Sequence, residues 1–302
     1  MGGKMKKVNR LFIPALFFIL KSTTFMMPVS GEEHETLDSL KLRPVENTTE
    51  IIISGPEEIG EMKLWVPEGV LSDTGGCSVY PVPKTWIQKQ GEFSHTVEEA
   101  GLFGPGNVNR VDDQTIECAG IQFPIDSPVK WKTTVKATGG EVEFTIHLTN
   151  AGDRTIKKAM AAICLKFLNA DWWVDENVYV VSEGKVRNLA ELGRDAGLPN
   201  GFQAYLLKDV SFDHIFYREF WGFNRHRLDK PVMVSEHPDA GLCVVISAEK
   251  GYFLHSNKGN PCSDVALAFG DLSPGETNES TGRISIRKIA GIQDRDRILA
   301  VP

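Results

Sequence analysis

The sequence predicts an all-β protein, a large antiparallel β-sandwich with at most one or two short helices. Three observations carry the prediction: segments with strand-like alternation recur along the chain, helical periodicity is scarce, and Gly, Pro and Asn residues separate the segments. Apolar residues make up 41% of the chain, which is enough to fill a core between two sheets.

The clearest element is a strand–turn–strand unit over residues 141–167. In Glu141–Leu148 polar and apolar residues alternate over eight positions, a pattern typical of a half-buried strand. Asn150–Asp153 contains the Asn and Gly that turns favour. Ile156–Phe167 is apolar enough to predict a strand that is buried on both faces.

The remaining elements are predicted from the same signals. We expect further strands at Thr49–Ser54, Met62–Val66, Thr115–Ala119, Val129–Lys136, Val178–Ser182, Pro231–Ser235, Leu242–Ala248, Tyr252–Ser256 and Thr281–Ile289. One short helix is predicted at Lys185–Ala196, closed by Gly197. No Pro/Ser-rich linker divides residues 49–302, which we therefore interpret as a single β-sandwich domain.

The first 31 residues have the order of a secretory signal peptide. Four basic residues and no acid precede an apolar run at Leu11–Leu20, and a polar stretch then ends at Gly31. The run is shorter than the roughly 20 apolar residues that span a bilayer. We expect cleavage after Gly31, a flexible lead-in over residues 32–48, no stable membrane span and a secreted or periplasmic protein. An uncleaved anchor or a buried N-terminal helix is the alternative.

Cleavage would make the mature chain distinctly acidic. The full chain has a net charge of −7, and residues 1–31 carry five positive charges and no negative ones, so the mature chain carries −12. Nucleic acids and anionic membrane surfaces bind basic patches. The charge therefore argues against both as partners.

The cysteines indicate neither a metal site nor a redox pair. Five cysteines allow at most two disulfides and leave one thiol over. Cys164 and Cys243 lie in apolar runs typical of buried thiols, so we expect a domain that disulfides do not hold together. CxxC, HExxH, GxSxG and phosphate-binding Gly loops are absent from the sequence, and we predict no metal and no cofactor.

Two aromatic-rich segments are candidate carbohydrate sites, because sugars bind to aromatic faces flanked by polar groups. Residues 85–99 supply Trp86 for binding and His95 and Glu98 as catalytic groups, unless they form an ordinary loop. Residues 216–227 interleave aromatic side chains with arginines, which bind carboxylates through two parallel hydrogen bonds. The candidates there are His226 for catalysis and Trp221, Arg225 and Arg227 for binding, the alternative being an aromatic-rich core segment.

Two further segments supply candidate binding residues. Residues 255–264 follow an apolar strand, and His255 and Asn257 point to the same side if that strand continues; an ordinary hairpin loop is the alternative. Residues 171–177 contain Trp172, whose ring is a candidate sugar platform.

The segment EVEFTIHLTNAGDRTIKKAMAAICLKF at residues 141–167 resembles a recurring segment of the galactose mutarotase-like (aldose epimerase-like) β-supersandwich proteins. In that family an alternating strand ends in Asn, turns through a Gly/Asp pair and returns as an apolar strand. The resemblance implies a supersandwich-like fold that handles sugars. Mutarotases carry a catalytic His where this chain has Cys164–Phe167, so the resemblance does not imply the epimerase reaction.

These observations lead to the hypothesis of an exported carbohydrate-binding or carbohydrate-modifying protein that acts on an acidic sugar. If it is an enzyme, we expect the acid/base chemistry of a sugar epimerase, lyase or glycosidase. The alternative is a non-catalytic extracytoplasmic adhesion or assembly module without a small-molecule ligand. The first hypothesis predicts that the Trp and His candidates converge in one cleft, and the second predicts that they lie on different faces.

Overall fold

Two antiparallel sheets of eight and nine strands confirm the predicted all-β sandwich. The computed structural model describes residues 40–45, 48, 50–73, 75–78, 107–122, 127–168, 170–194, 202–212 and 223–300. Within these ranges only two α-helices occur, α1 (Leu189–Leu192) and α2 (Ile292–Ala300). Neither is long and apolar enough to cross a membrane.

Seventeen strands are present among the residues described. In chain order they are β1 (Lys41–Pro44), β2 (Glu50–Ser54), β3 (Glu61–Ser72), β4 (Gly75–Ser78), β5 (Asn107–Arg110), β6 (Thr115–Gln122), β7 (Val129–Thr138), β8 (Glu141–Asn150), β9 (Ile156–Phe167), β10 (Val178–Ser182), β11 (Lys185–Asn188), β12 (Phe202–Leu206), β13 (Val232–His237), β14 (Leu242–Ala248), β15 (Gly251–Asn257), β16 (Cys262–Leu272) and β17 (Thr277–Lys288). Short 3₁₀ helices occupy Asp175–Asn177 and Pro238–Ala240.

The first sheet has the strand order β1-β2-β3-β9-β16-β15-β12, with β4 paired to β3. The second has the order β11-β10-β13-β14-β17-β8-β7-β6-β5. The main core lies between them, and the alternation of β8 places its apolar side chains there, as Phe144 illustrates. β9 is buried on both faces as predicted: Ile163 and Leu165 face the main core, while Met160 and Ala162 belong to a second apolar cluster. That cluster lies on the outer face of the first sheet, the face turned away from the second sheet.

The predicted helix at Lys185–Ala196 is wrong over its first four residues, which form β11. Lys185 pairs with Ser182 across a tight turn, where Glu183 and Gly184 both adopt positive φ angles of 54° and 72°. Such a two-residue turn matches the twist of a hairpin, so strand pairing overrides the local helical preference. The helix is therefore limited to α1, and residues 195–196 lie outside the described part of the chain.

The lead-in predicted to reach residue 48 is also too long. Lys41–Pro44 pair with Ile51–Ser54 as β1, which buries Leu42 in the main core. Edge pairing and the burial of Leu40 and Leu42 in the main core stabilise this segment. The predicted signal peptide over residues 1–31 lies outside the described residues.

An ion pair buried near the end of the first sheet joins three elements. Arg194 follows α1, and its guanidinium donates to both carboxylate oxygens of Asp175, at 2.8 and 2.6 Å. The same guanidinium donates to the hydroxyl and the carbonyl oxygen of Ser256 in β15. The ends of α1, a 3₁₀ helix and β15 are therefore fixed together by one side chain.

We predict that Arg194→Ala lowers the free energy of unfolding by about 3–5 kcal/mol, because it leaves the Asp175 carboxylate buried without its cation. Urea unfolding measures the change. Arg43→Ala is the matched control, since its pair with Glu61 is exposed and the loss should stay below about 1 kcal/mol. Equal losses in the two variants would contradict this role of Arg194.

Candidate functional site

A row of directly paired residues crosses the outer face of the first sheet. In register, Trp65 pairs with Cys164, Cys164 with Asp264, Asp264 with His255, and His255 with Ala204. Residues that pair directly share one face of a sheet. The strand neighbours of these residues have the opposite parity and lie in the main core: Leu64, Ile163, Val265 and Leu254. We call Trp65, Cys164, Asp264 and His255 the outer-face row.

Within the row, the side chain of His255 contacts that of Asp264. The imidazole Nδ1 lies 2.8 Å from Oδ2 of Asp264, and both side chains are more than nine-tenths buried. The other carboxylate oxygen, Oδ1, accepts the backbone N–H of Leu165 at 3.0 Å. The anchored carboxylate thus lies against Nδ1 of the imidazole, while Nε2 on the other side of the ring is buried. An imidazole beside a carboxylate can serve as a general acid or base.

Two thiols lie beside this pair. The Sγ atoms of Cys164 and Cys262 are 3.6 Å apart, and Asn260 donates its amide N–H to Cys262 Sγ at 3.6 Å. Burial raises the pKa of Cys164 well above its usual value, and the negative charge of Asp264 raises it further. For Cys262 the contact with Cys164 lowers the pKa, but burial and Asp264 outweigh that effect and raise it.

The other cysteine placements agree with the sequence analysis in part. Cys243 is fully buried as predicted, and burial raises its pKa to about 12. Cys164 is buried too, but on the outer face rather than in the main core. Among the cysteines whose side chains are described, none forms a disulfide.

The far end of the row combines an aromatic ring with charged groups. The indole Nε1 of Trp65 donates to Glu50 Oε1 at 2.9 Å, and Lys63 Nζ lies 3.0 Å from the other oxygen of that carboxylate. Three strand spacings of about 4.8 Å place Trp65 about 14 Å from His255 across the sheet. An aromatic ring, a carboxylate, an amine and an imidazole along one face are the groups that bind sugar hydroxyls.

The structure confirms the continuing strand at two predicted residues and rules out the hairpin-loop alternative for them. His255 and Asn257 lie on β15, paired with β16, and not in a loop, because β16 already begins at Cys262. The alternation of β15 places both on the outer face, as predicted for a continuing strand. The Asn257 side chain accepts the Gly259 N–H at 3.0 Å and so stabilises the turn.

The cationic candidates lie on the segment that borders β12. Phe223 forms a bridge with Ala204, the last member of the paired series that contains His255. In this segment Arg225 Nε donates to His226 Nε2 at 3.3 Å, and His226 Nδ1 lies 3.8 Å from Glu183. The guanidinium of Arg227 donates to a backbone carbonyl, that of Val210.

Trp172 lies in a different place from the outer-face row. Its ring packs edge-on against Phe167, with centroids 5.2 Å apart, and stacks on His237 at 5.1 Å. These contacts place it against the main core at the end of β9. The described candidates therefore form three groups, at His255, at His226 and at Trp172, and Trp172 does not join the other two in the single cleft that the carbohydrate hypothesis predicts.

Four predicted site residues lie outside the described residues: Trp86, His95, Glu98 and Trp221. Conversely, Asp264, Cys262 and Trp65 were not among the predicted site residues. A signal for Asp264 exists in the sequence, since Cys262, Asp264 and Ala266 alternate with Ser263, Val265 and Leu267. Pairing with β9 and β15 determines which face of the sheet Asp264 occupies. That pairing is long-range and cannot be predicted from the sequence of β16 alone.

Several solved structures are similar to this chain at very low sequence identity. A galactose mutarotase-like protein from Lactobacillus casei is 10% identical, with a TM-score of 0.44 over 83% of this chain and 99% of its own. A galactose mutarotase-like protein from Clostridium acetobutylicum is 10% identical, with a TM-score of 0.43 over 84% and 99%.

A further similar structure is an aldose epimerase homologue from C. elegans, which is 8% identical with a TM-score of 0.39 over 83% and 99%. No protein-family model matches the chain. No curated protein matches it either. These similar structures belong to the family that the strand–turn–strand segment at residues 141–167 resembles.

Proposed function

We propose that this protein is a carbohydrate-modifying enzyme in which His255 transfers protons and Asp264 positions its imidazole. The observation that carries the proposal is the 2.8 Å contact between the two buried side chains on the outer-face row. In the proposed step the Nε2 lone pair of the neutral imidazole, which is buried in the structure, accepts a proton from a sugar hydroxyl or an acidic C–H. The resulting imidazolium returns that proton later in the cycle, and the Asp264 carboxylate stabilises its charge.

The proposed enzyme acts outside the cytoplasm. Support comes from the basic, apolar and small-residue order of residues 1–31 and from the net charge of −12 that remains after their removal. An enzyme in that location would act on sugars and glycans in the periplasm or outside the cell.

The proposed substrate carries a carboxylate. Arg225 and Arg227 lie on the exposed segment bordering β12, and Ala204 links that segment to His255 through direct pairing. Guanidinium groups bind carboxylates through two parallel hydrogen bonds. A uronate held at this border would present its ring towards the outer-face row.

We predict that His255→Gln lowers kcat by at least about a hundredfold while sugar binding persists, because it removes the proton-transferring group but keeps a polar side chain. The assay follows anomer exchange, epimerisation and elimination by NMR in a panel of neutral aldoses and uronates, with binding followed by thermal shift. The control is His147→Gln, an exposed histidine on β8 that should leave kcat unchanged.

If no sugar of the panel binds or reacts with the wild-type protein, the enzyme proposal fails and the adhesion-module alternative gains. If a sugar reacts and His255→Gln keeps the wild-type kcat, His255 is not the proton-transferring group.

A second prediction concerns substrate charge. The double variant Arg225→Ala/Arg227→Ala should weaken uronate binding by about tenfold or more and leave neutral aldoses unaffected, since it removes the cations but not the outer-face row. Arg283→Ala, on the second sheet and paired with Glu143, is the control. Dissociation constants from titration calorimetry measure the difference. An equal loss for neutral and acidic sugars would refute the acidic-substrate proposal.

A further inference from the structure

Three potential metal ligands converge on the outer face beside His255. The thiols of Cys164 and Cys262 and a carboxylate oxygen of Asp264 all lie within 4.8 Å of one another, and all three residues are buried. They come from two adjacent strands of fixed register, since Cys164 pairs directly with Asp264 and Cys262 precedes Asp264 by two residues on the same face. Ligands on paired strands are held more rigidly than ligands on loops.

The separation of the two sulfur atoms fits a shared ion better than a covalent bond. A disulfide requires about 2.05 Å between sulfurs. Two thiolates bound to one tetrahedral zinc, each at about 2.3 Å, lie about 3.8 Å apart. The observed distance is 3.6 Å, so the two strands already hold the thiols at nearly the separation that zinc imposes.

The charges around the thiols favour a cation. The carboxylates of Asp264 and Glu68 both raise the pKa of Cys164, after burial itself, while Lys166 is the positive group that acts on Cys262. A divalent ion would stabilise the thiolates and the nearby carboxylates through their opposite charge. It would therefore favour deprotonation of the two thiols.

We propose that Cys164, Cys262 and Asp264 bind a divalent cation of the zinc class through two thiolates and one carboxylate oxygen. Thiolate and carboxylate ligands in a tetrahedral arrangement are typical of zinc. On binding, both thiols lose their protons to solvent, and no electron transfer occurs. His255 and Asn260 then act as outer partners, because each contacts a ligand of the ion, Asp264 and Cys262 respectively. The inference does not rest on the proposed sugar chemistry.

The test begins with the full wild-type chain, reduced, treated with chelator and equilibrated with zinc alone. We expect one zinc per chain by elemental analysis, and cobalt in its place should give thiolate-to-metal charge-transfer absorption. Since two protons leave, the dissociation constant should rise by up to about a hundredfold for each pH unit of acidification. These wild-type measurements need no variant that must fold.

Matched variants locate the ion. Cys262→Ser should weaken zinc binding by at least about a hundredfold, since loss of even an outer partner costs 10–100-fold. Cys243→Ser, an equally buried cysteine on β14, should bind zinc as the wild type does. His255→Gln removes an outer partner but no ligand, so zinc binding should weaken by about 10–100-fold and still be measurable. Zinc binding is measured without any sugar, so its failure can be told apart from failure of the proposed function.

Three results would each overturn the inference. One is the absence of zinc uptake by the reduced wild-type chain, and another is unchanged uptake by Cys262→Ser. The third concerns protein that is isolated without reductant and then given zinc. If Cys164 and Cys262 form a disulfide there instead of binding zinc, the inference fails.

Discussion

The register between β9, β16 and β15 is the constraint on which both the core and the candidate site depend. Alternation assigns Ile163, Val265 and Leu254 to the main core and leaves the members of the outer-face row on the opposite side. A slip of one residue in either pairing would exchange the two sets. It would then place a carboxylate and an imidazole among apolar side chains, so the free energy of core burial itself enforces the geometry of the polar row.

Burying the Asp264 and His255 side chains costs free energy, because both polar groups lose their contacts with water. Burying a carboxylate is expensive unless hydrogen bonds and charges replace its water. Here Oδ1 accepts the Leu165 N–H, and Oδ2 lies 2.8 Å from the His255 imidazole. An apolar pair at these positions would pack as well and avoid the desolvation. This desolvation cost is consistent with the proton-transfer role that we propose for the pair.

The sequence was sufficient for the architecture because alternation is a local signal. β9, β10 and β14 have the predicted bounds, and β8 extends the predicted strand by two residues. It was insufficient at Lys185–Asn188, where a hairpin turn decided the structure, and at β16, whose polar start at Cys262 resembles a loop. The residues of the candidate site likewise divide into those with a local sequence signal and those that depend on long-range pairing. His255 was identified by its residue type and its position after an apolar segment. Asp264 and Trp65 could not be identified in this way, because only pairing with distant strands places them in the outer-face row.

The claim that His255 and Asp264 form one coupled unit is tested most directly by a double-mutant cycle on stability. The variants are His255→Gln, Asp264→Asn and the double variant, each unfolded in urea at constant pH. If the two side chains are coupled, we expect a coupling free energy of about 1–3 kcal/mol, which lies in the range found for residues in contact. Additivity of the two single changes to within about 0.5 kcal/mol would contradict it, because side chains that do not interact show no coupling.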